Sequence, residues 1–540
     1  MQINIPTPAK LFSSLLEFTW LLIIGLLPVY FSLNTFSAWV INKFAFFVSL
    51  TEVLVFLWLA KMIFTESDRP LLQTSNGVKK LIPVSLFILI LGLSTVFSLR
   101  PEISFWGSYQ RKFGYFTWLL FFLFFLVLFF NLKTEKQIKR IVWVIFFSAI
   151  AVILYGFLQI LGLDPIGWLE PPLLTKRVFS TIGQPNFLAS WFLLVIPLIG
   201  WLFLKEKKFL IKSLIFLVFF LSLACFLLTG SRGGLVGLMA GIFFFFFAIS
   251  LIKRKRKMFL AGSIILLLLV VSLFFLNIFL LHPSSRAELT TGYKNQKTAS
   301  RFLSLSNLKE GGGVRIIIWQ HALSLIKERA ILGYGPETQF FNFITLYQPV
   351  EGVLESVNNY TDRAHNDILE ITFTSGFLGL VAYLFMIINI FYYGLKQVEE
   401  PFGSKTLRVK GPEELRRRVE DLIEPEALKA ERPEEPRQRE GNKISLFLLT
   451  GLFAYLVSLQ FSFHEISGLV YFWLYFALIL SSKNSFLLNK AQGHVAKKSV
   501  SQPERAWSPT SGRKSEGENR AAIFSQGKST ASFRATDPSP

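Results

Sequence analysis

Uninterrupted apolar runs, each closed by a few charged residues or by Gly and Pro, set the pattern of this chain. Twelve runs are long enough to cross a bilayer as helices: 12–33, 44–64, 80–97, 114–130, 141–162, 186–204, 213–229, 233–252, 258–281, 365–394, 444–462 and 469–487. Apolar residues fill successive positions instead of alternating with polar ones, which disfavours the strands of a membrane β-barrel. The pattern therefore predicts an all-α polytopic membrane protein with about twelve transmembrane helices. The first run follows Lys10, and no small-residue cleavage site comes after it. That predicts a retained span, not a cleaved signal peptide.

Three long polar segments interrupt the pattern. Residues 282–364 form a loop between spans nine and ten, far longer than a plain connection needs. Within it, 314–329 (VRIIIWQHALSLIKER) sets Ile316, Trp319, Leu323 and Ile326 at helical spacing, predicting an amphipathic helix against the membrane surface. Residues 395–443 hold twelve Lys/Arg and twelve Asp/Glu with several prolines, predicting a short charged helix in a flexible loop. Residues 488–540 are rich in Ser, Gly, Pro and Lys, a composition that cannot bury enough surface to fold.

Composition agrees with the pattern. The chain has 540 residues, 52% hydrophobic and only 17% charged, with 59 Phe. A soluble enzyme and a disordered scaffold are both excluded. Its single cysteine, Cys225, allows no disulfide framework. The net charge of +21 suggests nucleic acid until its location is considered. With the N-terminus in the cytoplasm, the short inner loops carry sixteen Lys/Arg against seven in the short outer ones. This is the positive-inside distribution, with Lys253–Lys257 as an inner anchor beside anionic lipid. Both termini are expected inside, 282–364 outside, and no nucleic-acid partner.

Candidate chemistry gathers on the expected outer side. The turn Thr229–Gly234 joins two spans and carries Arg232, with Gly233, Gly237 and Gly241 following at a spacing that favours close helix packing. A guanidinium at that depth should be paired with carboxylate or phosphate. Arg111, Arg177, Arg315 and Arg363 share that side, and together they suggest a site for an anionic, phosphate-bearing substrate. Leu332–Glu337 places Gly333 and Gly335 before Pro336, a helix-start signal that could offer N–H groups to an anion; a tight turn between two surface helices fits as well. The loop ends in Asp362-Arg363-Ala364-His365-Asn366-Asp367-Ile368-Leu369-Glu370, which brings an imidazole able to move a proton near neutral pH to the mouth of span ten. Helix capping by His365 and Asn366 is the plainer reading of the same residues. His282, His321 and His464 also fall on the outer side, and His464, beside Glu465 in the last outer turn, is the runner-up base. No nucleotide-binding loop or metal-ligand spacing appears, so neither a metal nor another cofactor is expected.

In order, these motifs resemble the bacterial O-antigen ligase / O-antigen polymerase family of multispan glycosyltransferases. The resemblance rests on Thr181–Ala189, Ser231-Arg232-Gly233-Gly234, Arg315-x-x-x-Trp319, Ile331–Gly335 with Phe340, and Ala364-His365-Asn366-x-x-Leu369-Glu370 leading to Gly376-x-x-Gly379. It divides the chain into N-terminal helices at 1–179, a ligase-like core at 180–394, the charged loop 395–443, two last helices at 444–487 and the tail 488–540. It implies a membrane enzyme at the outer face of the bacterial cytoplasmic membrane that needs no ATP or metal. Such an enzyme takes an oligosaccharide from undecaprenyl pyrophosphate to an acceptor hydroxyl. Mapped onto these residues, Arg232 and Arg315 hold the pyrophosphate and His365 acts as base or positions the acceptor. Asn366 and Glu370 orient the imidazole, with Asp367 competing for that role. Arg111, Arg177 and Arg363 are further phosphate or sugar contacts.

The acceptor stays open among lipid-A core, another lipid-linked repeat and a Ser/Thr of an exported protein. A solute transporter is the alternative from a different class. It would place ionisable groups mid-span, and here Glu52, Glu370, Glu17 and Lys61 are the candidates.

Overall fold

The computed structural model describes residues 8–35, 37–64, 75–168, 177–253, 257, 260, 262–264, 313–347, 361–403 and 441–481. Among these it is all-α: α1 (Pro8–Leu26), α2 (Val40–Phe64), α3 (Ser75–Val96), α4 (Pro101–Trp106), α5 (Tyr115–Asn131), α6 (Glu135–Ile160), α7 (Pro185–Lys205), α8 (Phe209–Leu228), α9 (Arg232–Lys253), α10 (Gly313–Glu328), α11 (Gln339–Phe343), α12 (Asp367–Gly403), α13 (Gly441–Ser458) and α14 (Ile466–Ser481). Nine of the described helices are long and apolar enough to cross a membrane, and α5 and α14 are shorter apolar helices. These eleven fall on eleven of the twelve expected spans. Most of the remaining one, 258–281, lies outside the described residues, as do most of 404–443 and all of 482–540.

Helix ends follow local chemistry. Thr134 and Gln137 form a reciprocal cap at the start of α6, where Gln137 N–H donates to Thr134 Oγ1 at 3.2 Å and Thr134 N–H to Gln137 Oε1 at 3.0 Å. Other ends depart from the apolar pattern. Helix α1 stops at Leu26, and α12 runs on to Gly403. Lys43, which the pattern leaves in a loop, is one turn inside α2 and buried.

Helix α14 is buried along all its residues, as expected for a helix apolar on every side. It packs on α2, α5, α7, α12 and α13, while α13 packs on α7, α9 and α12. Hydrogen bonds fasten both ends of this bundle. At one end Lys80 Nζ donates to Leu480 O at 2.5 Å and Gln397 Nε2 to Ile479 O at 2.5 Å, closing the last turn of α14. At the other end Lys43 Nζ donates to Ser467 Oγ at 3.1 Å, Thr181 Oγ1 to Pro28 O at 2.8 Å and Asn366 Nδ2 to Gln460 O at 3.2 Å. The candidate chemistry sits at this second end.

Helix α12 breaks at Gly376 (φ 66°, ψ −171°). The break frees backbone groups that residues 330–335 then satisfy. Tyr334 and Gly335 N–H donate to Phe373 O and Thr374 O, both at 2.9 Å, and Phe377 N–H donates to Ala330 O at 2.7 Å. Helix α10 lies against α12, with Ile318, Ala322, Leu325 and Ile326 packed around Tyr334, Phe343 and Phe373. The buried face is therefore rotated from the expected one: Ile316 and Leu323 are exposed, Trp319 is half-buried, and only Ile326 of the four turns inward.

Candidate functional site

A cavity of about 310 Å³ opens where α2, the α3–α5 connection, the start of α7 and the loops before α12 and α14 meet. His365, His464, Arg111, Lys43, Glu465 and Trp39 line it together with apolar side chains. The volume is at the low end for small-molecule sites, about 300–1,000 Å³.

His365 precedes α12 in a left-handed conformation (φ 49°). This uncommon backbone for a residue with a side chain turns the ring toward the cavity. The half-buried ring meets the edge of Phe463 with centroids 5.1 Å apart. Burial first, and then the Arg315 guanidinium with Arg111 and Arg363, bring its pKa down to about 4 against the opposing pull of Asp362. The imidazole is thus neutral near pH 7 and able to accept a proton.

Arg315 stands in the first turn of α10, one turn before Trp319, whose indole N–H donates to Ala364 O at 3.0 Å. That bond brings the loop helix against the residue preceding His365. Arg111 also lines the cavity. Its guanidinium forks onto Asp362, Nε to Oδ2 at 2.6 Å and Nη2 to Oδ1 at 3.2 Å, and lies over the Phe463 ring.

Arg363 is buried between two carboxylates. It binds Glu370 at 2.5 Å and also Glu337. Glu370 takes the Ala364 N–H at 3.0 Å as well, and Glu337 takes the N–H and hydroxyl of Ser108. This network joins α12, the loop after α10 and the α4–α5 turn. Glu370 is therefore engaged with Arg363 and the backbone, not with the His365 ring. Asn366 caps α12 through its Oδ1, which accepts from Leu369 N–H at 3.0 Å. Asp367 receives the Tyr383 hydroxyl at 2.6 Å and lies 3.2 Å from His464 Nε2, close enough for an ion pair though off hydrogen-bond alignment. His464 Nδ1 meets the Tyr455 hydroxyl at 2.9 Å.

The other sequence candidates are placed as follows. Arg232 is the half-buried first residue of α9, and the next residue, Gly233, is packed against Phe461, one residue from the Gln460 carbonyl that holds Asn366. Arg177 donates to Thr229 O at 2.9 Å and to Asn186 Oδ1 at 3.2 Å, tying the α8–α9 turn to the start of α7. Gly333 (φ 69°) and Gly335 (φ 94°) press against the broken stretch of α12, where a Cβ on Gly333 would come within 2.4 Å of Phe373 O. The turn reading holds there, and the short helix α11 starts at Gln339, not at Pro336.

Sequence reasoning left Glu337, Lys43 and Trp39 out of the site. Glu337 follows Gly335-Pro336 and carries no separate signal. Lys43 is hidden by its apolar flanks. Trp39 stacks on Trp168 with centroids 4.8 Å apart and lies across Gly183 (φ 99°), where a Cβ would meet its ring at 2.4 Å.

Residues 216–384 match the family model described as O-Antigen ligase. No curated protein matches the chain. The matched stretch contains Arg232, α10 with Arg315, the Gly333–Gly335 docking segment, His365 and the break at Gly376, so this part of the chain is similar to an O-antigen ligase domain.

Proposed function

We propose that the protein transfers an oligosaccharide from undecaprenyl pyrophosphate to an acceptor hydroxyl at the outer face of the bacterial cytoplasmic membrane. The observation that carries this reading is a neutral His365 on the wall of the cavity, with Arg111 beside it and the Arg315 charge bearing on it, in a chain with an O-Antigen ligase match.

In this reading the acceptor oxygen attacks the anomeric carbon as the bond from that carbon to phosphate breaks. The acceptor proton passes to His365. Negative charge grows on the departing lipid pyrophosphate, and Arg315 and Arg232 stabilise it, with Arg111 as a further contact. Arg363 acts through the fold, because its guanidinium is held by Glu337 and Glu370. Arg177 acts likewise through the α8–α9 turn, and Asn366 and Glu370 through the start of α12. The pyrophosphate also has an electrostatic consequence. Its negative charge offsets the arginines that hold the His365 pKa down, so the base strengthens once the donor is bound.

The transporter alternative finds little support in side-chain placement. Glu370 is locked to Arg363, Glu17 to Arg140, and Glu52 is exposed on the outside of the bundle. A mid-membrane path would need such groups turned inward and open to a solute, whereas the inward ones, Glu370 and Lys61, bind Arg363 and Asn131.

The deciding experiment uses purified protein in lipid with a labelled undecaprenyl-pyrophosphate oligosaccharide. Lipid-A core, a second lipid-linked repeat and a Ser/Thr peptide are offered in turn. Transfer to one of them is expected without added nucleotide. No transfer to any, combined with uptake of labelled solute into vesicles, refutes the proposal.

A further inference from the structure

Helix α2 carries a carboxylate where a lone helix in lipid should not have one. Glu52 is the thirteenth of its 25 residues. At 1.5 Å per residue it stands about 18 Å from either end, at the midplane of a spanning helix. Its side chain is on the exposed side of the bundle. Ala45, Ser49, Glu52, Phe56, Leu59 and Ile63 are all exposed and recur at alternating steps of four and three, so they form one stripe. Phe56 is 70% exposed and Ile63 75%. The opposite face, with Phe47, Thr51 and Leu54, is buried within the bundle.

Ionisable groups at this depth are costly and almost always face inward and pair. Glu17 of α1 follows that rule: Arg140 of α6 forks onto it at 2.5 and 2.8 Å. Glu52 has no hydrogen bond or ion pair among the described residues. We propose that this stripe of α2 docks a transmembrane helix of another protein that carries a lysine or arginine at mid-span.

Charge complementarity selects that occupant. A second copy packed through the same stripe sets Glu52 against Glu52, and the exposed Lys and Arg of the described helices lie toward helix ends, not at the midplane. The ninth apolar run of this chain begins elsewhere. Gly262 is pressed on Phe246 of α9, which packs on α7, α12 and α13, whereas α2 packs on α1, α5 and α14. Ala45 and Ser49 allow a partner backbone to approach closely one and two turns from the carboxylate. None of the six stripe residues lines the cavity, so docking is separable from transfer.

The test places a photoreactive phenylalanine analogue at Phe56 of the full chain in its native membrane. Irradiation should yield an adduct with a second membrane protein that has a mid-span Lys or Arg. Glu52→Leu should cut that adduct about tenfold, equivalent to roughly 1.4 kcal/mol, and Glu52→Gln should also reduce it, with glycan transfer unchanged in both. Glu52→Lys combined with the partner's basic residue changed to Glu should restore it. Adducts with lipid alone or with a second copy of this chain overturn the proposal. So does a partner adduct that Glu52→Leu and Glu52→Gln leave intact, or one whose partner lacks a mid-span base.

Discussion

His464 has both ring nitrogens turned to the protein, Nδ1 to the Tyr455 hydroxyl and Nε2 to Asp367, whereas the His365 ring stands against Phe463 at the cavity wall. That difference in partners is the reason His365 is proposed as the base and His464 as a strut. His365→Ala should therefore lower turnover by roughly 100- to 10,000-fold with donor binding largely intact, as read by single-turnover transfer and by binding of the labelled donor. Near-normal turnover in His365→Ala, with turnover abolished in a folded His464→Ala protein, reverses the assignment. The pH profile tests the same residue independently. With its pKa brought to about 4, His365 is deprotonated throughout the neutral range, so the acid limb of kcat/KM should fall below about pH 5 and not near the ordinary value of about 6.5. Arg315 is one of the charges that lower this pKa, so Arg315→Gln should move the limb to higher pH while weakening the donor complex. Glu337 gives a stability prediction. It lies buried against Arg363 in a left-handed turn (φ 64°). Glu337→Ala leaves a buried guanidinium half-compensated and should cost about 3–5 kcal/mol, seen as a lower midpoint of thermal unfolding in detergent.

The break in α12 is what lets the long loop reach the site. Continuous helix at Phe373–Phe377 would consume the carbonyls and N–H groups that instead hold residues 330–335. A side chain on Gly376 would meet Ile331 O at 2.1 Å, and the residue's φ of 66° disfavours one in any case. Gly376→Val should therefore release the 330–335 segment and with it the placement of α10 and Arg315. Transfer should be lost while the protein still inserts, and protease should cut faster between 329 and 336; unchanged cleavage and activity would show the break to be dispensable. This element marks the limit of what the sequence discloses. Long apolar runs define the helices because every position in them must be compatible with lipid or with an apolar core. A glycine inside such a run reads equally as a packing contact or as a break. The same ambiguity affects Gly333 and Gly335, whose docking on Phe373 and Thr374 depends on contacts about 40 residues away in sequence. The buried face of α10 departs from the expected one for a related reason: Ile, Leu and Trp occur on both sides of VRIIIWQHALSLIKER, and tertiary packing selects Ile318 and Ala322 over Ile316 and Leu323. His365 is visible because its neighbours are so polar, yet its cavity depends on Trp39 and Phe463 from loops far away along the chain.

Across the whole molecule, chemistry and charge are expected to separate by membrane side. The cavity end gathers His365, Arg111 and the start of α9, and the opposite end holds Lys80 against the last turn of α14. Lipid-linked glycan chemistry on the outer face needs the cavity end outside, and the sixteen-to-seven distribution of basic residues between the two sets of short loops asks for the same arrangement. The sixteen inner-loop charges take no part in the cavity, although Lys43 and Arg111 of the outer seven line it. Residues 282–312 should then be outside and the tail inside. Cys225, buried in α8, is the single thiol, so Cys225→Ala supplies a clean background for one cysteine at Ser306 and, separately, one at Ser515. A membrane-impermeant maleimide on intact spheroplasts should label the Ser306 position and leave the Ser515 position unmodified until the membrane is permeabilised. Truncation after Lys490 should leave transfer unchanged, since the site is built entirely from residues before that point. Labelling of Ser515 but not Ser306 would invert the molecule and put the cavity on the cytoplasmic side, where a flipped lipid-linked donor could not reach His365.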